Sequence, residues 1–213
     1  MSNFPSPTVA HHGSTDPAAP LVVLLHGRGS HELDIIGLAR QLPVGPAYVA
    51  VRAPISEGGG FAWFANRGIG RPVAESLADT MAWFRTWLDA EAPQRDGADT
   101  RPVVLVGFSG GAAFAGGLVL ADPERYLGAA IIAGTMPFDA GVPTTPGRLA
   151  GRSMFVAQGD LDAVIPRELL DRTWAYLTGD AGATTTALRD EVGHTLSPAI
   201  VDGLTQWLGA VLA

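Results

Sequence analysis

Runs of apolar and β-branched residues recur along the chain without the alternation of a half-exposed strand. They are PLVVLLHG (20–27), AYVAVRAP (47–54), PVVLVGF (102–108), LGAAIIAG (127–134), SMFVAQGD (153–160) and TTTALRDE (184–191). Such runs suit strands of a parallel sheet covered on both faces. Between them lie helical patterns over 32–42, 73–91, 110–121, 167–177 and 198–212. In the longest, Leu77, Met81, Phe84 and Leu88 recur at spacings of four, three and four, drawing one apolar stripe along a helix. Pro72, Pro166 and Pro198 stand where a first-turn proline is tolerated. The alternation of strand and helix predicts one α/β domain built on a doubly wound, mostly parallel sheet.

Two long segments break the alternation, ISEGGGFAWFANRGIGRP (55–72) and TMPFDAGVPTTPGRLAGR (135–152). Irregular loops of this length are usually functional or mobile. Residues 1–18 read as an N-terminal segment with TVAHH as a candidate edge strand, and residues 19–213 as the domain. Nothing between these segments is long enough for an inserted cap domain.

Composition narrows the chemistry. The 213 residues are 47% apolar and 16% charged, enough for a full core without covalent staples. A net charge of −7, with no cluster of arginines, argues against nucleic acid as a partner. The absence of cysteine excludes a disulfide, a thiolate nucleophile and a Cys-ligated metal. Every basic residue is Arg, which excludes Schiff-base and Ser-Lys catalysis. No two histidines share a helical metal spacing, so neither metal nor cofactor is expected. The N-terminal sequence lacks the basic start and apolar run of a signal peptide, and no 18-residue apolar run suits a membrane span. These features predict a cytoplasmic monomer or homodimer acting on a small molecule.

Ligands of a parallel sheet gather beyond the carboxyl ends of its strands, so chemistry should appear where the runs stop. At the end of VVLVGF comes G-F-S-G-G, which places Ser109 on a strand-turn-helix of the G-x-S-x-G type. The pentapeptide alone arises easily by chance in a chain with 27 glycines, and its context raises its value. A serine needs a base. His194, in EVGHTLSP after the last run, is the histidine best placed to serve. His11 and His12 lie in a polar segment, His31 stands at a helix start, and His26 suits packing beneath its loop. An acid must orient the base, and QGDLD after the fifth run offers Asp160 and Asp162. Either gives the order Ser, Asp, His used by α/β-hydrolases. The backbone N–H groups of Arg28, in LLHGRGS, and of Gly110, after the serine, would form a two-donor oxyanion hole. Nothing in that role demands the Arg28 side chain, which reads as solvated.

LLHGRGS, VRAPISEGGGFAWF, VGFSGGAAF, QGDLDAVIP and GHTLSP together resemble the phospholipase/carboxylesterase family of α/β-hydrolases, from about Leu21 onward. The resemblance selects Asp162 as the acid, leaving Asp160 to cap the turn. It implies Ser109 as nucleophile, His194 as base, and Arg28 and Gly110 as oxyanion donors. It also places Trp63 and Phe64 beside the active site, with Leu161 and Met136 as weaker substrate contacts; the bland alternative is a loop anchored by burying two aromatics. Two positions depart from the family pattern: Gly110 stands where a glutamine is common, and Ser30 where an acid often stands. The implied activity is a cofactor-free serine carboxylesterase acting at an open, shallow site on short- to medium-chain esters or thioesters. An acyl-protein thioesterase or lysophospholipase is the alternative within hydrolases, and a non-catalytic receptor on the same fold is the alternative outside them.

Overall fold

A computed structural model describes residues 4–93 and 100–213. The six predicted runs form β2 (Leu21–Leu25), β3 (Ala47–Val51), β8 (Val103–Phe108), β9 (Gly128–Ile132), β10 (Ser153–Gly159) and β11 (Thr184–Asp190). The N-terminal segment supplies β1 (Val9–Gly13). These seven strands make one sheet in the order β1-β3-β2-β8-β9-β10-β11, parallel throughout except where β1 lies antiparallel on β3.

The unbroken apolar runs have a direct cause. All five residues of β2 are fully buried: Leu21, Val23 and Leu25 face one layer, and Val22 and Leu24 the other. Each such side chain contributes roughly 1.5–3 kcal/mol of burial, so neither face tolerates a polar residue. The first layer holds α2 (Ala74–Glu91) and α3 (Gly110–Ala121), and the predicted stripe of Leu77, Met81, Phe84 and Leu88 packs there. The second holds α1 (Glu32–Ile35) and α5 (Pro198–Val211), which brings Ile200 and Leu204 onto the sheet. Ser197 caps α5 by accepting the N–H of Ile200 at 3.2 Å.

Two predicted helices are shorter than their patterns. Residues 32–42 form one α-turn and then a tighter 3₁₀ helix over Ile36–Gln41, with Ile35 and Leu38 both buried in the second layer. The helix predicted over 167–177 is α4 (Arg167–Ala175), followed by a wider π-type turn over Tyr176–Asp180.

The segments read as irregular loops are both ordered into the fold. Residues 55–72 make two β-hairpins: β4 (Ile55–Glu57) with β5 (Gly60–Ala62), and β6 (Asn66–Gly68) with β7 (Arg71–Pro72). Residues 135–152 cover the first layer, with Met136, Phe138 and Leu149 buried. Arg148 fastens this segment by donating to the Leu120 and Ala121 carbonyls at the end of α3, at 2.7 and 2.9 Å.

Candidate active site

Ser109 sits between β8 and α3 with φ 55° and ψ −115°, a conformation that a side chain rarely adopts. The surroundings hold it there. Its N–H donates to the Ile132 carbonyl of β9 at 2.9 Å, and its own carbonyl accepts from Ala112. A Cβ on Gly107 would lie 2.3 Å from the Gly111 oxygen, and one on Gly111 would lie 2.1 Å from the Leu25 oxygen. Strand and helix therefore meet backbone to backbone, and the glycines of G-F-S-G-G are steric requirements.

His194 arrives from the segment after β11, and its Nε2 lies 2.9 Å from Ser109 Oγ. Its Nδ1 lies 2.8 Å from Oδ2 of Asp162, whose side chain is fully buried. The other oxygen, Oδ1, accepts the N–H groups of Val164 (2.8 Å) and Ile165 (3.1 Å). Both oxygens are thus engaged, and the imidazole is held with Nε2 toward the serine. Phe108 packs against the same ring at a centroid distance of 5.2 Å. The expected division of labour between the two aspartates is corrected here. Asp160 caps no turn; it lies on the surface, 3.7 Å from Arg167 and 3.8 Å from Arg189. Asp162 does the backbone capping as well as meeting the histidine.

Arg28 and Gly110 lie close together beside the serine, since a Cβ on Gly110 would stand 3.3 Å from Arg28 N. Neither backbone N–H has a protein acceptor among the described residues. The Arg28 side chain is not solvated as expected. Its Nε donates to Glu57 Oε1 at 2.6 Å and its Nη1 to the Phe64 carbonyl at 2.8 Å, which ties the loop to the first hairpin. The same loop pairs with β5 through Gly29 N–H to the Phe61 carbonyl (2.9 Å) and Phe61 N–H to the Ser30 carbonyl (3.1 Å). Ser30 itself donates to Asp34 at 2.7 Å, a bond that holds the Asp34 carboxyl below its ordinary pKa.

His26 underpins this loop as expected. Its Nδ1 meets the Gly27 carbonyl at 2.7 Å and its Nε2 accepts the Ala53 N–H at 3.0 Å, a pairing that requires the neutral ring. Burial lowers its pKa accordingly.

These groups open on a cavity of about 330 Å³. Ser109, Gly110 and His194 line it together with the apolar Phe64, Ala113 and Ile165. Of the four residues expected to contact substrate, Phe64 alone lines the cavity. Trp63 is a structural anchor: it stacks on Phe114 at 4.4 Å and donates to the His26 carbonyl at 2.8 Å. Met136 is fully buried against α3, and its N–H donates to Thr173. Leu161 is 67% exposed and does not line the cavity. The sequence reading missed Asn66, Ile69, Thr135 and Val164, which also line the cavity. Asn66 and Ile69 come from β6 and its turn, and the turn glycines in NRGIG are the signal that could have marked a hairpin. That hairpin is tied to α4 by Arg71–Glu168 at 3.4 Å. This hairpin therefore contributes one side of the cavity. A larger groove of about 730 Å³ lies between α5 and β11, and none of these groups reaches it.

Among the described residues no cluster of His, Asp and Glu suits a metal ion, and no helix is long and apolar enough to cross a membrane. The fold recurs in a carboxylesterase of Bacillus cereus, with a TM-score of 0.82 and 25% identity over 96% of this chain and 94% of that one. It recurs also in acyl-protein thioesterase 2 of Zea mays (TM-score 0.77, 20% identity, 97% of this chain and 99% of that one covered), a likeness of fold alone. The Bacillus subtilis protein MhqD is 25% identical over 187 residues, which is 88% of this chain and 91% of that protein. The sequence model of the phospholipase/carboxylesterase family matches residues 8–211, so nearly the whole seven-stranded domain is accounted for by one family. The chain is an α/β-hydrolase and belongs to the phospholipase/carboxylesterase family.

Proposed function

We propose that the protein is a serine carboxylesterase that hydrolyses short- to medium-chain acyl esters or thioesters through Ser109, His194 and Asp162. One observation carries the reading: the unbroken chain from Ser109 Oγ to His194 Nε2 (2.9 Å) and from His194 Nδ1 to Asp162 (2.8 Å), opening on a cavity. In the first half-reaction Ser109 Oγ attacks the ester carbonyl while His194 Nε2 takes its proton. The carbonyl oxygen becomes an oxyanion, which the N–H groups of Arg28 and Gly110 receive. His194 then gives its proton to the departing alcohol or thiol, leaving an acyl-Ser109. Water, deprotonated by His194, repeats the attack and releases the acid. Asp162 stabilises the imidazolium throughout and keeps its proton on Nδ1.

The size of the cavity supports the acyl range. At about 330 Å³ it lies at the low end of small-molecule sites, too small to enclose a long lipid chain. The test is Ser109→Ala with p-nitrophenyl butyrate. The variant should lose at least about 10³-fold in kcat with its thermal unfolding unchanged, and retained turnover would refute the assignment. A fluorophosphonate should label wild-type Ser109 and leave a non-catalytic receptor unmodified.

A further inference from the structure

We propose that Asn66 determines specificity by receiving a hydroxyl group carried on the ester, so that the preferred substrate is a small, neutral, hydroxylated ester. This rests on Ser109 acting as the nucleophile.

The polar side chains of the cavity are Arg28, Asn66, Ser109, Thr135 and His194. Four of them are already engaged. Ser109 and His194 bond each other. The Arg28 guanidinium is taken by Glu57 and the Phe64 carbonyl. Thr135, fully buried, directs its hydroxyl at the Gly70 carbonyl, though at a long 3.5 Å. Asn66 differs: Oδ1 is buried, and it has no hydrogen-bond partner among the described residues. Its position is fixed all the same. Asn66 pairs with Pro72 in the hairpin, and its neighbour Ala65 donates to Ser76 Oγ at 2.9 Å and accepts from Val73 N–H at 2.8 Å. An amide held on a rigid hairpin, inside the cavity that contains the nucleophile and without a partner, is a standing demand for a ligand group.

The surroundings restrict what that group can be. A carboxylate or phosphate on the substrate would find no unpaired guanidinium among the described residues that line the cavity, because Glu57 already neutralises Arg28. The remaining walls, Phe64, Ile69, Ala113, Val164 and Ile165, are apolar and suit hydrocarbon. A hydroxyl both donates and accepts, so it satisfies whichever end of the amide faces inward. A site that hydrogen-bonds a substrate hydroxyl also discriminates against the analogue lacking it, since the amide is then left buried and unpaired.

The hydroxyl can belong to the acyl chain or to the alcohol, and three esters separate the two: ethyl butyrate, ethyl 3-hydroxybutyrate and 2-hydroxyethyl butyrate. Each kcat/KM is divided by the rate of hydroxide-catalysed hydrolysis of the same ester, which removes intrinsic reactivity. For wild type, one hydroxylated ester should exceed ethyl butyrate by about tenfold. In Asn66→Leu, close in volume, and in Asn66→Ala, that ratio should fall toward unity. A wild-type ratio within about threefold of unity in both arms overturns the proposal, and needs no variant to fold. So does an unchanged ratio in either variant. If wild type hydrolyses none of the three while a fluorophosphonate labels Ser109, this proposal alone fails; if Ser109 is not labelled either, the serine-esterase reading fails with it.

Discussion

Asp162 serves two masters, and two substitutions separate them. Oδ2 faces His194 Nδ1 at 2.8 Å, while Oδ1 accepts the N–H groups of Val164 and Ile165. In Asp162→Asn only one oxygen remains. The two backbone N–H groups need an acceptor, so the oxygen turns to them and the amide NH₂ turns to the histidine. His194 must then offer a lone pair at Nδ1 and carry its proton on Nε2, the atom that should accept from Ser109. The expected loss is about 10⁴-fold in kcat, the scale seen when a triad carboxylate becomes an amide, with little change in stability. Asp162→Ala removes the backbone acceptor too. The Val164 N–H is exposed and recovers water, whereas the Ile165 N–H is partly buried and does not. The alanine variant should therefore be less stable than the asparagine variant by about 2 kcal/mol, or about 4–8 °C in Tm for a chain of this size. Hydrolysis of p-nitrophenyl butyrate and thermal unfolding of both variants make the assay. An asparagine variant within tenfold of wild type, or two variants of equal Tm, would refute the reasoning.

Gly110→Gln should fold, because Gly110 lies outside the left-handed region and its Cβ would meet Arg28 N at a tight but adjustable 3.3 Å. The side chain would fill part of the cavity, so in a series of alkyl esters the bulkiest should lose about tenfold more kcat/KM than the smallest. Glu32, almost fully buried, is paired with Arg52 at 2.6 Å, and this bond holds its pKa below the ordinary 4.5. A depressed carboxyl pKa means that its contribution to stability is complete above pH 4.5 and drains away as the pH falls through the folded value. Urea unfolding from pH 7 to 3 should reveal that loss in wild type and a flatter profile in Glu32→Gln.

The sheet was legible because burial on both faces writes itself as unbroken apolar runs, and β2 with all five residues buried is the clearest case. The ends of those strands were legible for the same reason, which is how Ser109, Asp162 and His194 could be placed at one edge. The cavity wall was not. Strands of two or three residues such as β6 and β7 are too short to carry a period, so the hairpin read as loop. Trp63 and Phe64 are adjacent and chemically alike, yet one stacks on Phe114 and bonds the His26 carbonyl while the other lines the cavity. Only the path of the backbone decides between them. The Arg28 side chain is a similar case, since its partner Glu57 lies 29 residues away and is brought near by a hairpin with no sequence period of its own.

The neutral His26 beneath the Arg28 loop has a consequence for how the enzyme can be measured. Its two ring nitrogens are committed to the Gly27 carbonyl and the Ala53 N–H, and burial resists protonation. On mild acidification it therefore stays silent, and the loop that presents Arg28 keeps its shape and charge. A loss of activity on mild acidification would then not come from this second imidazole of the site. In a proton NMR spectrum, His26 Nδ1–H would act as an internal standard, a signal that stays in place as the sample is mildly acidified.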